Sequence, residues 1–193
     1  MRLAIFGGSF DPPHVGHLLV AEDAYEHLGL DRVVLVPTAT QPLKVGRTVA
    51  AAEHRVAMVR LLADGDTRFE VSTVEVERAG LSFTVDTLTH FAAVHPAAER
   101  FFLVGADVLA TFGQWREPER VLQLASVVVL EREGDAAAKL PVGVQSGAIR
   151  RLPTRRVDVS STEIRERVRK GKSIRGFVTD SVAAYIARAG LYR

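Results

Sequence analysis

The 193-residue chain reads as an α/β domain: an open, mostly parallel sheet flanked by helices, with a small helical segment at its C-terminal end. Two observations lead there. Short apolar, strand-like runs alternate with helical periodicity along most of the chain. The first such group, a strand, a glycine turn, a helix and a second strand, fits within residues 2–37, the length of one βαβ unit with parallel strands.

Arg2–Phe6 (RLAIF) is a buried strand that runs into Gly7-Gly8. From Val15 to Leu28 the apolar residues Leu18, Leu19, Ala21, Ala24, Tyr25 and Leu28 recur at helical spacing, and Gly29 is a C-terminal stop. Arg32–Pro37 (RVVLVP) is the second strand and Ala51–Ala63 an amphipathic helix. Phe69–Val76 (FEVSTVEV) alternates apolar and polar residues and reads as a half-exposed strand. A helix over Thr84–Val94 is ended by Pro96, and Arg100–Asp107 reads as a buried strand closing on a glycine and an acid. Glu117–Leu124 follows as a short helix, Ser126–Glu131 as a strand, and Arg155–Val159 as a last short strand. Ser161–Lys170 and Thr179–Ala189 are the closing helices, the second stopped by Gly190. Thr38–Thr48 and Arg132–Ala148 read as loops, and residues 1–193 as one domain.

Composition narrows the class. Absence of cysteine excludes disulfides and thiolate chemistry and fits a reducing compartment. No apolar run reaches the ~18 residues that span a bilayer, and the N-terminal run is too short for a signal peptide, so a cytoplasmic protein with no membrane partner is expected. The net charge of +2 is uneven: Arg150–Arg175 holds ten Lys/Arg against three Asp/Glu, which is +7 and leaves −5 for the remainder. Such a segment is either a solvated face or a site for an anionic ligand.

The segment GGSFDPPHVGH, Gly7 to His17, stands where open parallel sheets bind ligands, between a strand and the helix after it. Gly7 and Gly8 let a ligand approach the backbone, the prolines stiffen the turn, and a helix starting near His14 offers free N–H groups to an anion. Neither G-x-G-x-x-G nor G-x-x-x-x-G-K-[ST] is present, so dinucleotide-oxidoreductase and P-loop readings are disfavoured. His14 and His17 share one side of the first helical turn, with Gly16 keeping the surface between them low. A His pair can bind metal, but no H-E-x-x-H pattern or spaced third ligand accompanies it.

GGSFDPPHVGH resembles the GG-T/S-FDP-x-H-x-GH signature of the nucleotidyltransferase superfamily, and in this form looks most like the bacterial nicotinate-mononucleotide adenylyltransferases. The resemblance implies a Rossmann-like nucleotidyltransferase fold and a second signature near the C-terminus. VSSTEIR, Val159–Arg165, matches I-S-S-T-x-I-R with valine for isoleucine. Read bottom-up, Ser160 caps a helix with Glu163 completing a capping box, hydroxyls and N–H groups face outward, and Arg165 can fork onto phosphate. LSFTVDTL (Leu81–Leu88) resembles S-Y-T-x-x-T-L with Phe83 for tyrosine, VGAD (Val104–Asp107) resembles G-x-D, and PTATQPLK (Pro37–Lys44) loosely resembles a loop ending P-P-H-K, with Leu43 for histidine. The final GLYR also fits, so the likeness covers the whole chain.

From the resemblance follow the implied roles. ATP would be held by Gly7, Gly8, Ser9, Phe10, His14, Gly16, His17, Gly105, Asp107, Ser160, Ser161, Thr162 and Arg165, with His14, His17 and Arg165 acting in catalysis. Lys44, Thr84 and Trp115 would hold nicotinate mononucleotide. Mg²⁺ would enter with ATP, and no protein-held metal is expected. The implied product is deamido-NAD with release of pyrophosphate. The nearest rivals are the same chemistry on nicotinamide mononucleotide or phosphopantetheine. An RNA-binding module using Arg150–Arg175 is disfavoured because the segment lacks a stacking platform.

Overall fold

The computed structural model describes residues 1–40, 49–132 and 149–193. Six strands form one sheet: β1 (Arg2–Gly8), β2 (Arg32–Pro37), β3 (Phe69–Val71), β4 (Glu99–Gly105), β5 (Ser126–Arg132) and β6 (Ile149–Thr154). Their order is β3-β2-β1-β4-β5-β6 and all five pairings are parallel, so the expected mostly parallel sheet is parallel throughout. Strand order reverses between β1 and β4, which pair Phe6 with Leu103. The crevice beyond the carboxyl ends of those two strands is the ligand position of this topology.

Eight α-helices and a 3₁₀ turn at Phe112–Gln114 complete the described chain: α1 (Val15–Leu28), α2 (Ala52–Ala63), α3 (Val74–Arg78), α4 (Thr84–Val94), α5 (Ala106–Leu109), α6 (Pro118–Leu124), α7 (Ser161–Arg169) and α8 (Asp180–Ala189). Successive side chains of a strand point to opposite faces, so each strand feeds two cores. Leu3, Ile5, Val127 and Val129 pack with Leu88 and Phe91 of α4 and Val121 of α6. Ala4, Phe6, Val128 and Leu130 pack on the other face with Ala21 and Ala24 of α1 and Val59 of α2. A third cluster joins α2, α7 and α8 through Met58, Leu62, Ile164, Val182, Ile186 and Tyr192. Fully buried Ile164 is the peg that seats α7, and with it the Ser-Ser-Thr segment, against the body. No helix among the described residues is long and apolar enough to cross a membrane.

Three expected elements differ. The strand expected over Phe69–Val76 is only Phe69–Val71, and Val74–Arg78 is helical. Its alternation fits a strand, but Glu75 turns inward to Thr87, and Glu75 and Glu77 in the first helical turn suit the helix dipole. The strand expected at Arg155–Val159 is absent, and the sheet is closed by Ile149–Thr154 instead. That segment carries two arginines and Pro153, features that hide a strand from pattern reading and that edge strands tolerate. The strand expected over Arg100–Asp107 ends at Gly105, which places Asp107 within α5. The expected loops fall largely on residues 41–48 and 133–148, outside the described residues.

Instead of pairing, the segment after β6 is anchored to α1. The buried Asp23 carboxylate accepts from the Arg155 backbone N–H and Nε, both at 2.8 Å, and its Oδ1 lies 2.6 Å from Arg155 Nη2. Burial raises the Asp23 pKa, but the hydrogen bonds and charge of Arg155 outweigh it and hold the carboxyl below its usual range. A depressed folded-state pKa contributes stability above the unfolded value, ~4, that is lost as pH falls through the folded value. Asp23→Asn should therefore lower the urea midpoint at pH 7. The gap to wild type should narrow as pH falls below ~4; a gap unchanged between pH 7 and pH 3 contradicts this assignment.

Candidate active site

β1 ends in Gly7 and Gly8, and the chain then turns sharply. Phe10 adopts a left-handed φ of 48° and folds its ring back beneath Gly8, where an added Cβ would lie 3.0–3.3 Å from the ring. Any larger residue there would push the Phe10 ring back by a few tenths of an ångström. The Phe10 ring is 1% exposed and packs edge-on to His17 at 4.9 Å. Phe10, expected among the ATP contacts, thus turns its side chain into the core and supports the turn from behind.

α1 then begins with His14 as its N-cap. The His14 and His17 rings lie 3.8 Å apart between centroids, tilted by 32°. Gly16 makes this possible: a Cβ there would sit 3.0 Å from His14 Nδ1. The His14 backbone N–H donates to His17 Nδ1 at 3.2 Å. Desolvation, with the neighbouring His14 second, pushes the His17 pKa well below its usual value, so the ring is neutral at pH 7. A neutral imidazole whose Nδ1 accepts carries its proton on Nε2, and His17 is a hydrogen-bond donor without charge.

The second motif is bolted onto this turn. Ser160 caps α7 by accepting from Glu163 N at 3.1 Å, which is the Ser160 half of the expected capping box. Ser161 Oγ donates to Pro12 O at 2.8 Å, and Arg165 Nη1 donates to Asp11 O at 2.7 Å. Arg165 Nη2 also reaches Thr162 Oγ1 at 3.2 Å. Two arms of one site, distant in sequence, are therefore joined by side chain–backbone bonds.

Beneath that joint lies an anchor that motif reading did not single out. Asp11 is 2% exposed, and its carboxylate accepts from Val49 N (2.7 Å), Ala50 N (3.1 Å) and the Tyr192 hydroxyl (2.7 Å). Burial, then donation to Asp11, raises the Tyr192 pKa far above the physiological range, so the phenol keeps its proton. Arg55, also 2% exposed, donates to the carbonyls of Ala50, Ser9 and Ala39 at 3.2, 2.8 and 3.3 Å. Desolvation lowers its pKa, but guanidinium starts so high that it stays charged. The available signals were Asp11 inside the first motif and Tyr192 inside GLYR; a lone Arg55 in an amphipathic helix gave none.

A cavity of about 640 Å³ opens over these groups. Of the expected residues, Gly7, Gly8, Ser9, His14, Gly16, His17, Gly105, Ser160, Ser161, Thr162 and Arg165 line it, together with Thr84 and Trp115. Asp107 follows Gly105 in α5, and Lys44 lies outside the described residues. The Thr84–Trp115 end is more aromatic. The Trp115 ring stands edge-on to Phe102 at 5.9 Å and tilted on Phe112 at 5.0 Å, and its Nε1 donates to Thr111 Oγ1 at 3.2 Å. Thr84 opens α4. Behind this wall the Glu75 carboxyl accepts from the Thr87 hydroxyl at 2.6 Å; burial raises its pKa, while Thr87, Ser82 and Arg78 pull the other way. Ser82 Oγ accepts from Ala39 N at 2.9 Å, tying the wall to the segment after β2. The site thus offers uncharged donors and a guanidinium at one end, and an aromatic face at the other. Among the described residues no group of three or more His, Asp or Glu could hold a metal ion.

Comparison with known proteins identifies the family. Residues 5–167 match the family model described as cytidylyltransferase-like. A protein of Gemmatimonas aurantiaca named "Probable nicotinate-nucleotide adenylyltransferase" is 51% identical over 100% of this chain and 93% of its own length. A Thermus thermophilus protein of the same name is 44% identical over the full length of both chains. Among solved structures, the Plasmodium falciparum nicotinic acid mononucleotide adenylyltransferase complexed with NaAD superposes with a TM-score of 0.78 at 19% identity, covering 99% of this chain and 97% of that one; this likeness shows the fold. A family match over most of the chain and end-to-end relatives of this identity establish that the chain is a nucleotidyltransferase of the cytidylyltransferase-like family and belongs with its nicotinate-nucleotide adenylyltransferases.

Proposed function

We propose that this protein transfers the adenylyl group of ATP to nicotinate mononucleotide, giving deamido-NAD and pyrophosphate. The observation that carries the reading is that one cavity of about 640 Å³ is lined both by the two donor motifs and by Thr84 and Trp115. The names of the relatives point to the same acceptor.

In this reading an oxygen of the mononucleotide 5′-phosphate forms a bond to the α-phosphorus of ATP. The bond from that phosphorus to the β-phosphate oxygen breaks, and pyrophosphate leaves with the electron pair. A phosphate monoester with its second pKa near ~6 is already largely ionised at neutral pH, so no general base is needed. Catalysis comes from in-line positioning and from donors aimed at developing charge. Neutral His17 points its Nε2–H at the α-phosphate, with His14 beside it. Ser161, Thr162 and Arg165 hold the β- and γ-phosphates from the α7 side, while Gly7, Gly8, Ser9, Gly16 and Ser160 form the surface the nucleotide lies on, and Gly105 and Asp107 hold its ribose. Thr84 and Trp115 hold the mononucleotide, with Lys44 as a further phosphate contact. The donor set of the clamp suits phosphate oxygens rather than a cation, so Mg²⁺ fits best as part of MgATP, held by phosphate oxygens and water.

Incubation of the protein with MgATP and nicotinate mononucleotide should yield deamido-NAD and pyrophosphate in equal amounts; absence of both overturns the reading. His17→Ala should lower kcat at least ~10²-fold, the scale for one preorganised donor, with the fold intact. Near-wild-type turnover would remove His17 from the mechanism. Arg165→Ala should weaken ATP more than the mononucleotide by titration, and equal losses contradict its placement.

A further inference from the structure

Arg116 follows Trp115 directly and lines the same end of the cavity. Its guanidinium lies over the Phe83 ring, 5.1 Å from the centroid, and Phe83 caps the helix that Thr84 opens. Two carboxylates face it, Asp86 and Glu117, each at 3.5 Å, and both are partly solvated. Both ion pairs are long, so a fork-shaped donor array stands half-exposed at the cavity wall, held by charge and by the Phe83 ring rather than by short hydrogen bonds. Glu117 holds a left-handed φ of 52° immediately before Pro118, a costly conformation for a non-glycine residue ahead of proline. That turn fixes the direction in which the chain leaves Arg116. The first-turn amides of α4 add positive potential to the same wall.

We infer that Arg116 is a specificity-determining residue that favours a pyridine mononucleotide bearing a carboxylate over one bearing a carboxamide. With the pyridine ring on Trp115, a carboxylate on that ring comes within reach of the guanidinium, whose paired N–H groups match its two oxygens. A carboxamide presents one acceptor and a competing donor, and pairs poorly with a guanidinium. Asp86 and Glu117 sharpen the choice: they hold Arg116 in place through long contacts that an incoming carboxylate outcompetes at hydrogen-bond distance.

This inference rests on the adenylyl-transfer reading above, and one experiment separates the two. The full-length wild type, Arg116→Gln and Arg116→Lys are assayed for kcat/KM with nicotinate mononucleotide and with nicotinamide mononucleotide, alongside melting temperature. Arg116→Gln should lower the acid-to-amide ratio roughly fivefold, the worth of a partly solvated ion pair, through the acid substrate alone, while Arg116→Lys keeps most of the preference. An unchanged ratio, or an equal fall for both substrates, makes Arg116 mere wall and overturns the inference while leaving the function standing. A wild type that adenylylates neither mononucleotide overturns both.

Discussion

The Asp11 carboxylate is the constraint on which the site depends. It is taken out of water, so its charge must be matched by donors or it would destabilise the fold. Three donors match it: two backbone N–H groups at Val49 and Ala50, and the Tyr192 hydroxyl from the end of the chain. Once that oxygen pair is held, the peptide that follows is held too. Its carbonyl receives Arg165 and the next receives Ser161, so α7 docks on the glycine turn in a set position. Arg55 repeats the device alongside, gathering three carbonyls from the segments before and after residues 41–48. Buried polar networks of this kind are costly when incomplete and fix one arrangement when satisfied.

The electrostatics of the two ends differ for a physical reason. At one end His17 is kept neutral by desolvation, so its ring is a hydrogen-bond donor that carries no charge. The full positive charge comes from Arg165 at the other side of the turn. At the acceptor end the wall is aromatic, built from Trp115, Phe83 and Phe102, and suits a flat ring. The cavity is lined by two guanidinium groups, Arg165 beside the glycine turn and Arg116 beside Trp115, together with the neutral donors of both motifs.

Much of this was legible in the sequence, and the exceptions share a cause. Val15–Leu28, Arg32–Pro37 and Thr84–Val94 have the boundaries expected of them, because their apolar periodicity is strong and glycine or proline ends two of them. Ile149–Thr154 was hidden because an edge strand needs little apolar character, and Val74–Arg78 because five residues satisfy either period. The two motifs could be found because a turn and a capped helix carry local signatures. Tyr192 and Arg55 could not be assigned roles, since their partners are backbone atoms or a residue at the far end of the chain, contacts that leave no local pattern. Phe10 shows the converse: it sits inside a signature, yet serves the turn's packing.

If Asp11 sets the clamp, loosening it from the far side should be felt by a nucleotide that never touches the altered atom. The Tyr192 ring is buried among α2, α7 and α8, and its hydroxyl alone reaches Asp11. Tyr192→Phe removes one oxygen and keeps the packing. The direct measurement is ATP affinity by titration in this variant, with melting temperature recorded beside it. ATP binding should weaken roughly three- to tenfold in a folded protein, the worth of one buried hydrogen bond. A folded variant that binds ATP as the wild type does would contradict it.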